Sequence, residues 1–172
     1  NDVGKSICPA ALFIVEDPLR RRGLSSRSYD GDGLPMHARN IIEDGRLTTW
    51  LLDLRSARQL GMEPTGHGSG PSNIHMQAGA LTPQQLMSDI GQGLLVTEMI
   101  GSSIDMVTGD YSRGASGYWI ENGELTYPVS EITIAGNLRD IFLTVTPGSD
   151  LEFIRAINAP SCRVEGLTIA GR

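Results

Sequence analysis

An Asn-Gly pair at Asn122-Gly123 constrains this chain more than any other feature, because it lies between two segments rich in β-prone residues. Tyr118–Ile120 precede the pair and Leu125–Tyr127 follow it. Both central residues of a type I′ turn need a positive φ, which Asn and Gly adopt at low cost. The pattern therefore predicts a β-hairpin over residues 118–127.

Further strand signals lie on both sides of this hairpin. Glu43–Arg46 contains an Asp-Gly pair between Arg39–Ile42 and Leu47–Leu52, which predicts a second hairpin. Near the other end, Ile132–Gly136 (ITIAG) recurs as Leu167–Gly171 (LTIAG). This echo predicts two edge or paired strands with the same alternation, and a single short echo does not establish a repeat fold.

Only two short helices are indicated. Ser56 is predicted to cap a helical turn that runs to Leu60, and Gly61 supplies the C′ position. The second helix is predicted over residues 82–90, with Thr82 at the N-cap and Pro83 at N1, and its apolar face should pack on a sheet. Hairpins favour antiparallel pairing, and so few helices do not allow βαβ units. The predicted fold class is α+β, a mostly antiparallel β-sheet with hairpins and a few short helices packed on it.

The composition fits a soluble domain of ordinary size. The chain has 172 residues, 40% of them hydrophobic, which allows the core of one domain or of a tightly joined pair. The net charge of −6 argues against sequence-independent binding of nucleic acid, which relies on Lys and Arg. The basic run Arg20–Arg22 is interpreted as a solvated turn. No apolar stretch approaches the roughly 20 residues of a spanning helix, so no membrane association is expected.

The start of the chain and its cysteines bear on its origin. The sequence begins at Asn1-Asp2 with neither an initiator Met nor a leader, so we expect a fragment of a longer protein. Cys8 and Cys162 are far apart and form no C-x-x-C pair. They are interpreted as reduced thiols of a cytoplasmic protein, with a single disulfide as the open alternative.

No catalytic centre is recognisable from the residues alone. The three histidines, His37, His67 and His75, lack the H-E-x-x-H spacing that places two imidazoles on one helical face. Ser112 and Ser116 precede a strand, whereas the G-x-S-x-G elbow needs a strand, a turn and a helix. The isolated chain is therefore expected to bind no zinc stoichiometrically.

Two glycine-flanked segments carry more polar chemistry than their local structure needs. Asp110–Arg113 (DYSR) lies between Gly109 and Gly114, just before the predicted hairpin. Gly66–Asn73 (GHGSGPSN) is unusually rich in glycine for a connection. Such loops often bring backbone groups to a ligand, and simple flexibility is the alternative of equal weight.

Several motifs together resemble one known family. The string GDYSRGASGYWIENGE followed by YPVSEITIAGNL, with Leu47–Leu52, Ser56–Gly61, Thr65–His67 and Gly93–Glu98, is similar to the carboxy-terminal part of PmbA/TldE proteins. These proteins are one half of the TldD/TldE family, once called modulators of DNA gyrase. The motifs follow the family's order throughout, so the resemblance implies a single carboxy-terminal PmbA/TldD-type domain over residues 1–172.

The resemblance implies a role in proteolysis and peptide maturation, as part of a dimer. In the family, the TldD-type subunit resembles a zinc protease with an H-E-x-x-x-H helix and a cysteine as third ligand. This chain contains no H-E-x-x-x-H motif, and Cys162 lacks the glycine-rich setting of the family's ligand, so it is interpreted as structural. The resemblance thus implies no cofactor in this chain and zinc in a TldD-type partner.

A TldE-type subunit, as the resemblance implies, carries no metal, helps close a cavity and holds an unfolded peptide. The residues expected to face the peptide or the partner are Asp110, Tyr111, Ser112, Arg113, His67 and Asn73. Arg113 is the leading candidate because its planar guanidinium can hold a carboxylate or backbone carbonyls in a fixed geometry.

Two other functions stay open at this point. The protein could be a metallopeptidase in its own right, acting as a homodimer, if its missing portion carries a metal-binding helix. It could instead be a regulatory binding protein for DNA gyrase. The acidic charge fits a protein partner at least as well as DNA, so it does not decide between a protease subunit and a gyrase regulator.

Overall fold

A computed structural model describes residues 2–171 of the protein, apart from the side chain of Ser102. The chain forms two compact units. Unit 1 comprises Asn1–Gly79 and Leu151–Pro160, and unit 2 comprises Ala80–Asp150 and Ser161–Arg172. In chain order the elements are β1 (Ile14–Glu16), β2 (Arg39–Glu43), β3 (Arg46–Leu47), α1 (Leu54–Leu60), β4 (Ile74–Met76), α2 (Pro83–Met87), β5 (Gln92–Ile104), β6 (Asp110–Glu121), β7 (Glu124–Asn137), α3 (Leu138–Thr144), β8 (Thr146–Pro147), β9 (Ile157–Asn158), β10 (Cys162–Arg163) and β11 (Thr168–Ala170).

Unit 1 is built on a sheet with the strand order β3-β2-β1-β4-β9. All neighbours are antiparallel except β4 and β9, which are parallel. Asp44 and Gly45 form the β2–β3 turn with φ angles of 48° and 73°, which these two residue types adopt at low cost. The predicted hairpin is confirmed, although its second strand is only Arg46–Leu47.

Helix α1 begins earlier than the sequence indicated. Asp53, and not Ser56, is its N-cap, and the Asp53 carboxylate accepts a hydrogen bond from the Ser56 N–H at 2.6 Å. A carboxylate at the N-cap also interacts favourably with the positive end of the helix dipole. The predicted C-terminal signal is correct, because Gly61 ends the helix in the left-handed region at φ 65°.

Unit 2 is built on a four-stranded antiparallel sheet with the order β11-β7-β6-β5. The predicted hairpin is its centre, with Asn122 and Gly123 at φ 50° and 83°. The echoed segments are neighbours, since β11 pairs antiparallel with β7 and places Ile169 opposite Ile134. The α+β, mostly antiparallel fold predicted from the sequence is confirmed.

Helix α2 shows the predicted capping chemistry over a shorter span. The Thr82 hydroxyl accepts from the Gln85 N–H, and the Gln85 side chain accepts from the Thr82 N–H, which together form a capping box. The helix ends at Met87, and one further turn continues to Ile90, whose N–H donates to the Met87 carbonyl. No helix within residues 2–171 is both long and apolar enough to span a bilayer.

Candidate functional site

A buried charged cluster lies at the centre of unit 1. The Glu16 side chain is fully buried, and its Oε2 lies 2.8 Å from Nε2 of His67, which is 4% exposed. Arg39 Nε lies 4.0 Å from the same oxygen. The other oxygen, Oε1, accepts a hydrogen bond from the Ser72 N–H at 2.7 Å. Glu16 thus has a partner for each carboxylate oxygen.

The second ring nitrogen of His67 is also engaged. Its Nδ1 lies 2.7 Å from Oγ1 of Thr65, and that hydroxyl oxygen accepts a hydrogen bond from the Leu52 N–H. The order Glu16, His67, Thr65 has the form of a catalytic triad. A nucleophile must reach a substrate, however, and this histidine and this carboxylate are both enclosed. The cluster is therefore a structural network.

Asn73 is also held by internal hydrogen bonds. Its Oδ1 accepts from the Ser25 N–H at 3.0 Å, and its Nδ2 donates to the Asp17 carbonyl and to Ser26 Oγ. Asn73 and His67 are both buried, so their side chains support unit 1 from inside. Their assignment to a partner- or peptide-facing surface remains a prediction.

The glycine-rich loop Gly66–Asn73 is clamped from both sides. The Arg27 guanidinium donates to the carbonyl of Gly70, and also to those of Ser69 and Pro71 at 3.4 and 3.3 Å. On the other side, the Asp30 carboxylate accepts from the Gly68 N–H at 2.7 Å. The sequence left two interpretations of this loop with equal weight, a role in binding a ligand and simple flexibility. These hydrogen bonds do not support simple flexibility.

Asp30 makes the stability of this clamp pH-dependent. Burial, the largest influence, acts to raise the pKa of Asp30, but hydrogen bonds from the N–H groups of Gly68, Leu34 and Asp32 and the charge of His67 lower it on balance. Because the pKa of Asp30 is lower in the folded state than in the unfolded state, its ionised carboxylate stabilises the fold. This contribution is complete above the unfolded-state pKa of about 3.9 and is lost as the pH falls through the folded-state pKa.

We therefore expect Asp30→Asn to lower the free energy of unfolding by about 1–3 kcal/mol at pH 7, because both carboxylate oxygens accept hydrogen bonds and the amide has only one oxygen, without the charge. The difference from the unmodified protein should shrink at pH 3. Urea denaturation at both pH values measures it, with Glu63→Gln, an exposed position in the same unit, as the control. A difference that is the same at both pH values would contradict the role of the carboxylate.

The segment Asp110–Arg113 forms the first residues of β6 in unit 2. Asp110 is opposite Asn137, and its carboxylate accepts from Thr108 Oγ1 at 2.8 Å and from Asn137 Nδ2 at 3.3 Å. Successive side chains of a strand point to opposite faces. Asp110 and Ser112 therefore share one face of the sheet, and Tyr111 and Arg113 share the other, so one flat surface cannot contact all four.

Tyr111 and Arg113 share their face with the apolar core of this sheet. Tyr111 packs against the buried cluster of Ala115, Ile132 and Ile134. Arg113 lies opposite Ile134, and its Nε is buried with no hydrogen-bond partner among the described residues. Asp110 and Ser112, on the other face, are exposed.

Strand β5 is the long edge of this sheet. It runs from Gln92 to Ile104, pairs only with β6 among the described strands, and is exposed from Thr97 to Ile104 apart from Ser102, whose side chain is not described. Register shifts between Val96 and Glu98 and between Ile100 and Ser103 mark two bulges. An edge strand presents unpaired N–H and C=O groups to which another chain can add.

Comparison with known proteins identifies the family. Residues 1–171 match the model of the PmbA/TldA metallopeptidase C-terminal domain. The chain belongs to the PmbA/TldD family. It is 46% identical to metalloprotease PmbA of Escherichia coli O157:H7, over all of this chain and 38% of that protein. It is 41% identical to the metalloprotease PmbA homolog of Haemophilus influenzae, over 99% of this chain and 38% of that protein.

Solved structures show the same PmbA/TldD-family fold. A Bacteroides thetaiotaomicron protein named as a candidate modulator of DNA gyrase matches with a TM-score of 0.91 and 31% identity, over 100% of this chain and 39% of that one. TldE from Thermococcus kodakarensis matches with a TM-score of 0.82 and 24% identity, over 99% of this chain and 42% of that one. This match supports the fold alone. The chain spans about two fifths of the length of the curated relatives it matches.

The potential metal ligands of this PmbA/TldD-family domain are dispersed. No three His, Cys, Asp or Glu side chains in the part of the chain that the structure describes lie close enough to hold a metal ion. Cys8 and Cys162 form no disulfide in the part of the chain that the structure describes. Burial raises the pKa of the Cys8 thiol, and burial together with the charge of Asp150 raises that of Cys162. Neither thiol is activated for nucleophilic chemistry.

Unit 2 of this PmbA/TldD-family domain also contains a cavity of about 400 Å³. Its walls are formed by α2, the first part of β5 and residues 161–169. Arg163 lines it and is paired with the carboxylates of Asp89 and Glu165. Because the cavity takes up the first part of β5, the exposed edge available for pairing lies in the second part.

Sequence reasoning missed two features of these units. Glu16 follows the apolar run Phe13–Val15, and an acid within a buried strand was the signal that could have identified it. The edge position of β5 had no signal, because strand order depends on contacts between distant segments.

Proposed function

We propose that this chain is the non-catalytic, peptide-holding part of a TldD/TldE-type metalloprotease that acts in proteolysis and peptide maturation. The observation that carries the proposal is the edge position of β5, which pairs on one side only among the described strands and is exposed from Thr97 to Ile104 apart from the undescribed Ser102 side chain. An extended peptide can add to such an edge through main-chain hydrogen bonds, whatever its side chains. Sequence-independent holding is what a subunit that presents unfolded peptides needs.

The edge also has features that limit its pairing with copies of itself. Its two bulges twist the strand, and Glu98 places a negative charge on the exposed stretch. Natural sheets use bulges and edge charges in this way. A peptide in solution can adjust to the twist, whereas a second rigid sheet edge has to match it.

The cutting step is assigned to residues outside this chain. The sequence contains no H-E-x-x-x-H motif. In the proposal, zinc is held by a TldD-type subunit that forms a dimer with this protein in the cytoplasm. The second candidate is a metallopeptidase acting as a homodimer, which is favoured by the name metalloprotease given to the 46% identical relative. Regulatory binding to gyrase rests on names alone.

The holding role is tested with peptides whose backbone donors are blocked. We expect an unstructured peptide to bind the full-length protein, and alternate N-methylation of its backbone to weaken binding at least tenfold, because ladder hydrogen bonds are lost. A peptide of scrambled sequence is the matched control and should bind equally. Isothermal titration calorimetry measures all three, and equal affinity for the methylated peptide would contradict pairing with an edge strand.

The same peptide separates the two candidate functions. Incubated with the full-length protein alone, it should stay intact, and it should be cut when a TldD-type subunit is added. Mass spectrometry of the products measures this, and metal analysis of the purified protein accompanies it. Cleavage by the protein alone, with one zinc per chain, would establish the homodimeric metallopeptidase.

A further inference from the structure

Arg113 is a partly buried cation with no hydrogen-bond or ion-pair partner among the described side chains and residues 2–171. Its Nε is shielded from solvent, and no described residue accepts a hydrogen bond from it. No carboxylate among residues 2–171 forms an ion pair with its guanidinium. Asp110 is near in sequence, but it belongs to the opposite face of the sheet and is engaged by Thr108 and Asn137.

Another arginine of unit 2 shows what this environment normally requires. Arg163 has 23% of its side chain exposed, and its guanidinium contacts the carboxylates of Asp89 and Glu165 and the carbonyl of Leu86. Arg113 is also partly buried, yet it has none of these acceptors. Of the two, only Arg163 has carboxylate partners among the described residues.

The surroundings of Arg113 make this arrangement costly. Its neighbours on the same face are Tyr111, Ala115 and Ile134, which belong to the apolar cluster. A charged group in such a setting loses hydration, and only a paired charge or strong acceptors compensate for it. A half-buried guanidinium whose Nε is shielded from solvent and has no acceptor among the described residues is therefore suited to an acceptor supplied from outside.

The register of the sheet places Arg113 one strand inside the β5 edge, at a bulge of that edge. On β5, the residues facing Arg113 belong to the bulge between Ile100 and Ser103. Gly101 in this bulge has a φ of 73°, and a β-carbon placed there would meet no atom within 4 Å. A peptide paired with β5 would therefore lie one strand away from Arg113, beside the part of the edge where the register is interrupted.

We propose that Arg113 binds a carboxylate of the peptide held along β5, either its terminal carboxylate or an acidic side chain. The inference rests on the proposed function and adds a chemical preference to otherwise sequence-independent holding. The planar guanidinium can form two parallel hydrogen bonds with a carboxylate, and these are among the stronger hydrogen bonds in proteins.

The test uses the full-length protein and acetylated peptides of alternating valine and threonine, measured by calorimetry. One pair of peptides differs only in a free carboxylate or an amide at the carboxy terminus. The second pair has amidated ends and differs only in a central Asp or Asn. Each pair is measured with the unmodified protein, with Arg113→Gln and with Arg139→Gln, which removes the same charge from an exposed site in unit 2.

We expect the acidic member of at least one pair to bind about tenfold or more tightly to the unmodified protein and to Arg139→Gln. With Arg113→Gln this preference should disappear, while the neutral peptides bind as before. The pair that shows the preference identifies the source of the carboxylate. Circular dichroism and the thermal midpoint check that each variant is folded.

Three results would overturn the proposal: no acid preference in either pair, a preference that survives in Arg113→Gln, or no binding of any peptide. Neutral binding without an acid preference removes only the role of Arg113 and leaves the holding function intact. Acid binding without neutral binding supports Arg113 and contradicts main-chain holding. Absence of all binding contradicts both.

Discussion

Replacement of Glu16 by Gln is expected to lower the free energy of unfolding by about 3–5 kcal/mol, because it removes one partner of a buried charged cluster. His67 Nε2 lies 2.8 Å from the carboxylate and Arg39 Nε 4.0 Å, and both would lose the negative charge that they face. The amide oxygen can still accept from the Ser72 N–H, but the amide NH2 group then replaces the oxygen that faces His67 and Arg39, so the loss reports on the charge and on that acceptor together.

Thermal and urea denaturation of the full-length protein measure this effect, and the thermal midpoint should fall by roughly 10 °C. Glu43→Gln, an exposed position on β2, is the matched control and should change the midpoint little. The double variant Glu16→Gln with His67→Gln should cost less than the sum of the two single variants, because the pair is coupled. A loss below 1 kcal/mol for Glu16→Gln would show that the cluster does not support unit 1.

Gly117→Ala is expected to separate β5 from β6. A β-carbon at Gly117 would lie 1.8 Å from the Leu95 carbonyl oxygen and 3.1 Å from the Val96 α-carbon. These are backbone atoms, so no side-chain rotation relieves the overlap and the strand itself has to move. We expect a loss of about 3 kcal/mol, at the upper end of the usual cost of overpacking, together with loss of peptide binding by β5.

Hydrogen exchange locates the damage. Amides of residues 92–96 should lose protection in Gly117→Ala, while the Asn122-Gly123 end of the hairpin keeps much of its protection. Gly91→Ala is the matched control, since a β-carbon at Gly91 meets nothing within 4 Å. Unchanged protection of residues 92–96 would mean that the bulge at Val96 absorbs the methyl group, and the edge strand would then be more adaptable than the register indicates.

The elements that sequence alone determined are those whose cause is local. Asn122-Gly123 and Asp44-Gly45 form hairpin turns because Asn and Asp tolerate a positive φ and glycine, which has no β-carbon, adopts it freely. Thr82 caps α2 because its hydroxyl reaches an N–H three residues away. The predicted N-cap of α1, Ser56, was wrong, because the N-cap is Asp53. Both residue types favour this position, and only the backbone shows which side chain accepts the capping hydrogen bond.

The tertiary structure decided where charges are buried and which strand is an edge. Glu16 and His67 are 51 residues apart in sequence, and nothing near either of them shows that they meet. Asp110 and Arg113 were assigned together from their shared segment, yet strand alternation places them on opposite faces. Burial, charge pairing and strand order arise from contacts between distant segments. The sequence therefore indicated which side chains are present, and the fold decided which of them contact one another.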